Sequence, residues 1–392
     1  MTPAARVQSA ITILDSVIAA ARSQGAPADR LLAEWARGNR YAGSKDRRAI
    51  RDLVYAAIRA CGPVPANGRA AMLLLAERAA DLAALFDGTP YGPPAIGESE
   101  QAASGGVAPA WLVERLTASD IAGPEAEALL GRAPLDLRAN TLKASRATLV
   151  LPAEAEELPL PNGLRLPAGT QVEQWPAYLD GLVEVQDAGS QAMCLAANAL
   201  PGELVIDLCA GAGGKTLALA AAMENQGTLI AADTDRGRLS RLAPRAERAG
   251  AKVAETVLLN PGREMQSLGP WQGKADLVLV DAPCSGTGTW RRNPESRWRL
   301  TPQELARLTQ LQARLLDVAT QLVRPGGRIA YITCSLLDDE GAGQVERFLA
   351  ANPRFTPTPL DLPFGTPRGA GTRLTPQHDG TDGFFIASLS AA

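Results

Sequence analysis

Between Val7 and Leu85 apolar residues return every three or four positions, as in Val7, Ile11, Leu14 and Ile18 and again in Ile50, Leu53, Val54, Ala57 and Ile58. That period is the buried stripe of amphipathic helices, so residues 1–86 are expected to form an all-helical domain. The pattern fails from Asp87 to Val107, where Pro90, Pro93, Pro94, Gly105 and Gly106 predict a linker over 87–107. Helical spacing resumes at Ala110. Leu135–Asn140 and Leu164–Leu166 then read as short strands around the acidic stretch Pro152–Pro161, which makes 108–185 a small α/β domain.

After Gln186 the pattern becomes a regular alternation. Strands are expected at Leu204–Leu208, Leu229–Asp233, Asp276–Asp281, Arg328–Thr333 and Gly383–Leu389. Helices are expected from Lys215, over Arg236–Ala249, over Pro302–Leu322 and over Asp338–Leu349. Such alternation predicts an α/β fold over 186–392, a doubly wound, mostly parallel, Rossmann-like sheet. Ligands bind such sheets at the carboxyl ends of the strands.

Composition narrows the chemistry. With 392 residues and 46% apolar residues the chain can bury a large core. No apolar run is read as reaching the roughly 20 residues that span a bilayer, and Arg6 interrupts any signal-peptide core. A cytoplasmic protein with no membrane partner is expected. The cysteines Cys61, Cys194, Cys209, Cys284 and Cys334 form no CxxC pair, and His378 is the lone histidine, so neither a disulfide framework nor a metal site is expected. A net charge of −3 confines any nucleic-acid surface to a local patch. One candidate is the stretch holding Arg37, Arg40, Lys45, Arg47, Arg48, Arg51 and Arg59. The other is Arg291, Arg292, Arg297 and Arg299 with Trp290 and Trp298, where indoles beside guanidinium groups suit unpaired bases and phosphates.

The first strand of the alternating region runs into Asp207-Leu-Cys-Ala-Gly-Ala-Gly-Gly-Lys-Thr216. This glycine turn is not a P-loop, which needs Gly at Cys209, nor a dinucleotide fingerprint, which needs a small third residue at Thr216. Asp233 ends the next strand twenty positions after Gly213 and is placed to accept hydrogen bonds from ribose hydroxyls. On spacing alone, S-adenosylmethionine and a nicotinamide cofactor both remain open. Two further loops carry thiols: Asp281-Ala-Pro-Cys-Ser-Gly-Thr-Gly288 and Thr333-Cys-Ser335. If their strands are neighbours, Cys284 and Cys334 converge at one sheet edge, since paired strands lie about 5 Å apart. Cys61 and Cys194 read as small buried apolar groups.

Together with Arg291-Arg-Asn-Pro294 and Asp382-Gly-Phe-Phe385, these ordered motifs resemble the Sun/RsmB family of RNA cytosine-5 methyltransferases. Leu137-Arg-Ala-Asn-Thr-Leu-Lys143 resembles the family's small RNA-contacting domain, and the N-terminal helices its NusB-like domain. The resemblance implies S-adenosylmethionine as cofactor, held by the turn Cys209, Ala210, Gly211, Ala212, Gly213, Gly214 and Lys215, with Asp233, Asn260 and Asp281. Ala212 stands where the family commonly has Pro, and Asn260 where it has an acid facing the adenine. It further implies Cys334 as nucleophile on carbon 6 of the base, Asp281 and Lys215 at the ring edge, and Cys284 assisting departure of the carbon 5 proton. Arg138, Asn140, Arg291, Arg292 and Trp298 are the expected RNA contacts. The implied substrate is RNA, small-subunit rRNA or an assembling small subunit. The alternatives are a non-catalytic RNA-binding assembly factor on this fold and a DNA cytosine methyltransferase, whose nucleophile would be Cys284.

Overall fold

Thr2 sets the start of the first helix, α1 (Pro3–Ser23), its hydroxyl accepting from the Ala5 N–H at 3.2 Å. In the computed structural model, which describes residues 1–392, this helix is followed by α2 (Ala28–Gly38), α3 (Ser44–Ala60), α4 (Gly68–Ala76) and α5 (Ala80–Ala83). Contrary to the sequence expectation, α1 is long and apolar enough by length and composition to cross a membrane. Its apolar stripe is spent on tertiary packing: Val7, Ile11, Leu14, Val17 and Ile18 are buried in one cluster with Ile50, Val54 and Ile58 of α3 and Met72 and Leu73 of α4.

The first of two compact units comprises Met1–Gly131 together with Thr289–Thr301. It therefore takes in α6 (Ala110–Ala118) and α7 (Pro124–Ala128), which the sequence pattern assigns to the following domain. The stretch 87–107 is tied to the helices rather than separating domains: Gly62 N–H donates to Ser104 at 3.1 Å and Ala103 N–H to Ala70 at 2.9 Å.

The second unit comprises Arg132–Gly288 and Pro302–Ala392. It opens with β1 (Leu135–Ala139), β2 (Glu156–Glu157), β3 (Gly163–Leu166), α8 (Pro176–Leu179) and β4 (Val183–Val185). These strands form an antiparallel sheet in the order β2-β3-β1-β4, closed around Leu137, Leu164, Leu166 and Val183.

The main sheet follows in the same unit. Its chain order is α9 (Ala188–Ala197), β5 (Leu204–Asp207), α10 (Gly214–Ala222), β6 (Thr228–Asp233), α11 (Arg236–Leu239), α12 (Leu242–Ala249), β7 (Glu255–Leu258), α13 (Glu264–Leu268) and β8 (Ala275–Asp281). After Thr301 come α14 (Pro302–Leu322), β9 (Val323–Thr333), α15 (Ala342–Ala351), β10 (Phe355–Thr358), β11 (Thr366–Arg368), β12 (Gly371–Leu374), α16 (Pro376–Asp379) and β13 (Phe384–Ala391). The strand order is β11-β12-β13-β9-β8-β5-β6-β7, with β10 also on β13. Strands β7, β6, β5, β8 and β9 are parallel, whereas β10 to β13 add an antiparallel edge. Successive side chains point to opposite faces of the sheet and feed two cores. Ile206, Val278, Val280, Ile329 and Tyr331 face Leu315, Leu316 and Phe348 of α14 and α15. Val205, Leu277, Leu279, Ala330 and Ile332 face Ala192, Leu219 and Ala220 of α9 and α10.

This is the expected mostly parallel α/β sheet, preceded in the chain by a helical N-terminal region. The chain runs outward from β5 through β6 to β7 and then returns to β8 on the other side of β5. That reversal makes the carboxyl ends of β5 and β8 the topological switch point, where a crevice opens for ligand. Strand β7 escapes the sequence pattern, because Val257 is its one buried residue and the remaining side chains give no alternation to detect.

Candidate active site

The glycine turn after β5 depends on two left-handed residues, Gly211 (φ +55°) and Gly213 (φ +89°). A side chain at either would also collide: a Cβ on Gly213 would stand 2.1 Å from Leu242 Cδ1, and one on Gly211 2.3 Å from Arg238 Nη2. Gly214 is different. Nothing lies within 4 Å of a Cβ built there, so the turn is packed from behind and open at the start of α10. Arg245 holds the turn from the side, donating to the Ala212 carbonyl at 2.7 Å and to Glu184 at 2.9 Å.

Asp233, at the end of β6, accepts from Gly211 N–H at 2.7 Å through one oxygen and from Asp235 N–H at 2.7 Å through the other. The Leu259 N–H donates to the Asp233 carbonyl at 2.9 Å, which brings the exposed Asn260 beside that strand end. Beneath the turn, Asp207 is fully buried. One of its oxygens accepts from Thr216 Oγ1 at 2.7 Å and the other has no partner, and burial pushes its pKa up to about 7. Cys209 is a thiol for the same reason: burial, with Asp207, Asp281 and Asp233 nearby, pushes its pKa well up.

The thiols of Cys284 and Cys334 meet at 3.3 Å. The register explains why, since Asp281 of β8 pairs with Ile332 of β9 and the two loops leave the sheet side by side. Gly288 N–H donates to the Cys334 carbonyl at 3.0 Å, and Gly383 N–H to the Gly288 carbonyl at 2.8 Å. A Cβ on Gly288 would lie 2.1 Å from the Gly383 carbonyl oxygen, so this stacking of three loops requires glycine there. The Cys334 contact, burial and the charge of Glu340 all push the Cys284 pKa well above the ordinary thiol value. Beside the pair, Lys215 Nζ donates to Asp281 Oδ2 at 2.6 Å and stands 5.6 Å from the Phe384 ring centre. Burial alone would lower the Lys215 pKa, but Asp281, Cys194 and Cys334 raise it above the ordinary lysine value, and the side chain is a cation. Burial pushes Cys61 and Cys194 up to about 11, in keeping with their apolar role.

The switch point thus brings together an open glycine turn, a strand-end acid, a lysine–aspartate pair and two touching thiols. The family model for 16S rRNA methyltransferase RsmB/F matches residues 193–390, which contain all of them. The chain belongs to the RsmB/F methyltransferase family. Among curated relatives, the probable ribosomal RNA small subunit methyltransferase B of Synechocystis sp. is 38% identical over 275 residues, covering 66% of this chain and 60% of the relative. The ribosomal RNA small subunit methyltransferase B of Xylella fastidiosa is 36% identical over 293 residues, covering 72% of this chain and 68% of the relative. The chain therefore spans about 60 to 68% of the length of such relatives. Among solved structures, PH0851 covers 99% of each chain at a TM-score of 0.76 and 25% identity. A methyltransferase homologue from Pyrococcus horikoshii covers 72% of this chain and 99% of its own at a TM-score of 0.60 and 27% identity.

In this RsmB/F chain the expected RNA contacts are placed differently from the catalytic candidates. Trp298 is 5% exposed, sits in the helical core and donates from Nε1 to the Gly62 carbonyl at 3.2 Å. Trp290 is fully buried, Arg291 is buried and Arg292 is half-buried. The reading of this segment as a stacking surface is corrected accordingly. Arg297 donates to the carbonyls of Ile58 (2.6 Å) and Cys61 (2.8 Å), so its guanidinium caps the C-terminus of α3. Glu295 caps the start of α2 by accepting from Ala28 N–H at 3.0 Å. Arg138 and Asn140 are also inside. Arg138 donates to Gln186 at 2.7 Å, and Asn140 to the carbonyls of Gly181 (2.8 Å) and Ala249 (2.7 Å), which stitches the small sheet to α12.

Sequence reasoning missed a buried polar group under the cysteine loops, made of Gln312, Ser285, Ser335, Thr287 and Glu340. The one available signal was a carboxylate six positions after Cys334, in a stretch that reads as an ordinary acidic helix start.

Proposed function

We propose that this chain transfers a methyl group from S-adenosylmethionine to carbon 5 of a cytosine in small-subunit rRNA, free or in an assembling subunit, with Cys334 as covalent nucleophile. The approach of two thiols to 3.3 Å at the switch point, beside the Lys215–Asp281 pair, carries this reading. The residues present fit the cofactor. The open side of the turn at Gly214 would cradle its methionyl end, Asp233 would offer carboxylate oxygens to its ribose hydroxyls, and Asn260, beside the end of β6, would meet its adenine. When bound, S-adenosylmethionine supplies an electrophilic methyl group.

Carbon 5 of cytosine becomes nucleophilic only after addition at carbon 6. The Cys334 thiolate forms the S–C6 bond, and the electron pair of the C5–C6 double bond moves toward ring nitrogen 3. The Lys215–Asp281 pair meets that edge: a proton from the Lys215 ammonium, relayed by the Asp281 carboxylate, goes to nitrogen 3, neutralises the charge that develops, and returns to the pair when Cys334 leaves. Once carbon 5 carries its methyl group, Cys284 gives its own proton to solvent and takes the carbon 5 proton as a thiolate, the C5–H electron pair reforms the C5–C6 double bond, and Cys334 leaves with the S–C6 electron pair. A stacked base cannot reach this site, so the target is unpaired or flipped.

The burial of Trp298 and its neighbours moves the proposed phosphate contacts to the exposed face of α3. Lys45, Arg47, Arg48 and Arg51 are exposed on α3, and Tyr41 beside them is 70% exposed. Asp46, the acid among them, is engaged with Arg6 at 2.8 Å and with the chain amino group.

The direct test is rRNA from a strain lacking the gene, incubated with tritiated S-adenosylmethionine and the purified chain. Label recovered as 5-methylcytidine, lost in Cys334→Ala while calorimetry shows cofactor binding retained, is the expected result. A chain that binds rRNA without transferring label would be the assembly factor instead.

A further inference from the structure

The methyl-transfer scheme leaves the buried polar group beneath the cysteine loops without a task. Glu340 lies seven positions beyond the end of β9 and is fully buried. Its Oε1 accepts from Ser285 N–H at 2.9 Å and from Gln312 Nε2 at 2.9 Å, and its Oε2 accepts from the Ser285 hydroxyl. Its backbone carbonyl accepts from the Tyr331 hydroxyl at 2.7 Å, which pins the carboxylate to β9. From α14, Gln312 also donates to the Pro283 carbonyl at 2.9 Å. The peptide groups on both sides of Cys284 are thereby held, Pro283 by Gln312 and Ser285 by Glu340.

The same network reaches the other thiol's loop. Ser335 Oγ stands 3.1 Å from Ser285 Oγ and 3.2 Å from Thr287 Oγ1, and Thr287 Oγ1 accepts from the Leu336 N–H at 2.8 Å. The serine that follows each of these two cysteines is thus tied into one set of hydrogen bonds. A carboxylate is an expensive way to fill a core, because its desolvation offsets what its hydrogen bonds return. An apolar side chain would stabilise the fold as well but would leave Ser285 N–H unpaired and the loop free to shift.

We propose that Glu340 and Gln312 are positioning residues that hold the Cys284 thiol in register with Cys334. The inference rests on the methyl-transfer reading, in which the thiol that takes the carbon 5 proton must stand beside the thiol bonded to carbon 6. Neither Glu340 nor Gln312 touches substrate in this scheme. Glu340→Gln keeps one oxygen for the Ser285 and Gln312 N–H donors but removes the charge that strengthens those bonds and sets an NH2 group against the Ser285 hydroxyl proton, and Gln312→Leu removes the hold on Pro283 while keeping the side chain's bulk.

The test uses the full chain and two readouts. In the first, diamide takes two electrons and two protons from the thiol pair to form the Cys284–Cys334 disulfide, followed by peptide mapping. The rate is expected to fall on the order of tenfold or more in Glu340→Gln and in Gln312→Leu, as a shift of about 1 Å between reacting atoms implies. In the second, rRNA and S-adenosylmethionine are added. Both variants should accumulate a ribonuclease-sensitive, retarded protein band on a denaturing gel, as Cys284→Ala should, and lose it when Cys334→Ala is added. A merely structural role would instead lower the thermal midpoint, cofactor affinity and adduct formation together, and that result overturns the proposal. So does a Glu340→Gln chain with an unchanged disulfide rate. Should Glu340→Gln fail to fold, Ser285→Ala, which removes one donor alone, must still slow the disulfide. A slowed disulfide in a chain that never forms an RNA adduct would support the positioning role while refuting the methyl-transfer reading.

Discussion

Asp207 offers a prediction whose size follows from the structure. Its carboxyl is fully buried with one unpartnered oxygen, and burial raises its pKa from 3.8 to about 7. A carboxyl with a raised folded pKa binds its proton more tightly folded than unfolded. Its stabilising contribution is fully present below pH 4 and is lost as pH rises toward 7. A shift of about 3 units corresponds to roughly 4 kcal/mol at 1.36 kcal/mol per unit. Asp207→Asn cannot ionise, and its carbonyl oxygen still accepts the Thr216 hydroxyl, so the variant mimics the protonated acid at every pH. Urea unfolding between pH 4 and pH 8, followed by amide exchange in β5 and α10, gives the comparison. The variant should gain on the parent chain by about 4 kcal/mol over that range, a midpoint displacement of roughly 1 M for a urea slope near 3 kcal/mol/M. Parallel curves from pH 4 to pH 8 would refute the argument, because the buried acid would then be ionised at no cost.

Cys284→Ala should still form the Cys334 adduct and transfer methyl, yet release RNA slowly, so a ribonuclease-sensitive band retarded on a denaturing gel accumulates; normal turnover without the band would make Cys284 a passive wall. Asp233→Ala should weaken S-adenosylmethionine binding by roughly 1 to 3 kcal/mol in calorimetry through lost charge-assisted hydrogen bonds, part of it through release of Gly211. An unchanged affinity would mean that the ribose acceptor lies elsewhere. Neutralising Arg47 and Arg48 should lower the logarithmic salt slope of RNA binding by about 0.7 for each phosphate that no longer has a cationic partner. Arg297→Met should leave that slope unchanged and lower the unfolding midpoint of the helical unit, since the α3 carbonyls lose their cap.

What the sequence made legible was periodic or strictly local. The pleat of β5, β6, β8 and β9 shows as runs of buried Val, Ile and Leu, and the glycine turn and thiol loops show as short strings because each is built from consecutive residues. The interpretation of Arg291 to Trp298 failed for a different reason. Arginine and tryptophan on one turn have the same local signature whether they face nucleic acid or close a core, and the carbonyls that satisfy Arg297 belong to residues more than 230 positions earlier. Arg138 and Asn140 were misjudged in the same way, as polar residues whose partners at Gln186, Gly181 and Ala249 lie far along the chain. A buried polar residue is predictable only once its partners are placed.

The charges around the two thiols bear on which one attacks. Glu340 hydrogen-bonds the residue next to Cys284, and its charge favours the protonated form of that thiol. The Lys215 cation is favoured by Asp281 and, more weakly, by Cys334. Of the two sulfurs at 3.3 Å, Cys284 is therefore the one whose neighbours hold its proton, the Cys334 contact first, then burial and Glu340. This polarity supports attack by Cys334, whereas attack by Cys284, the order a DNA cytosine methyltransferase would use, requires removing a proton that burial, the neighbouring thiol and Glu340 all hold in place.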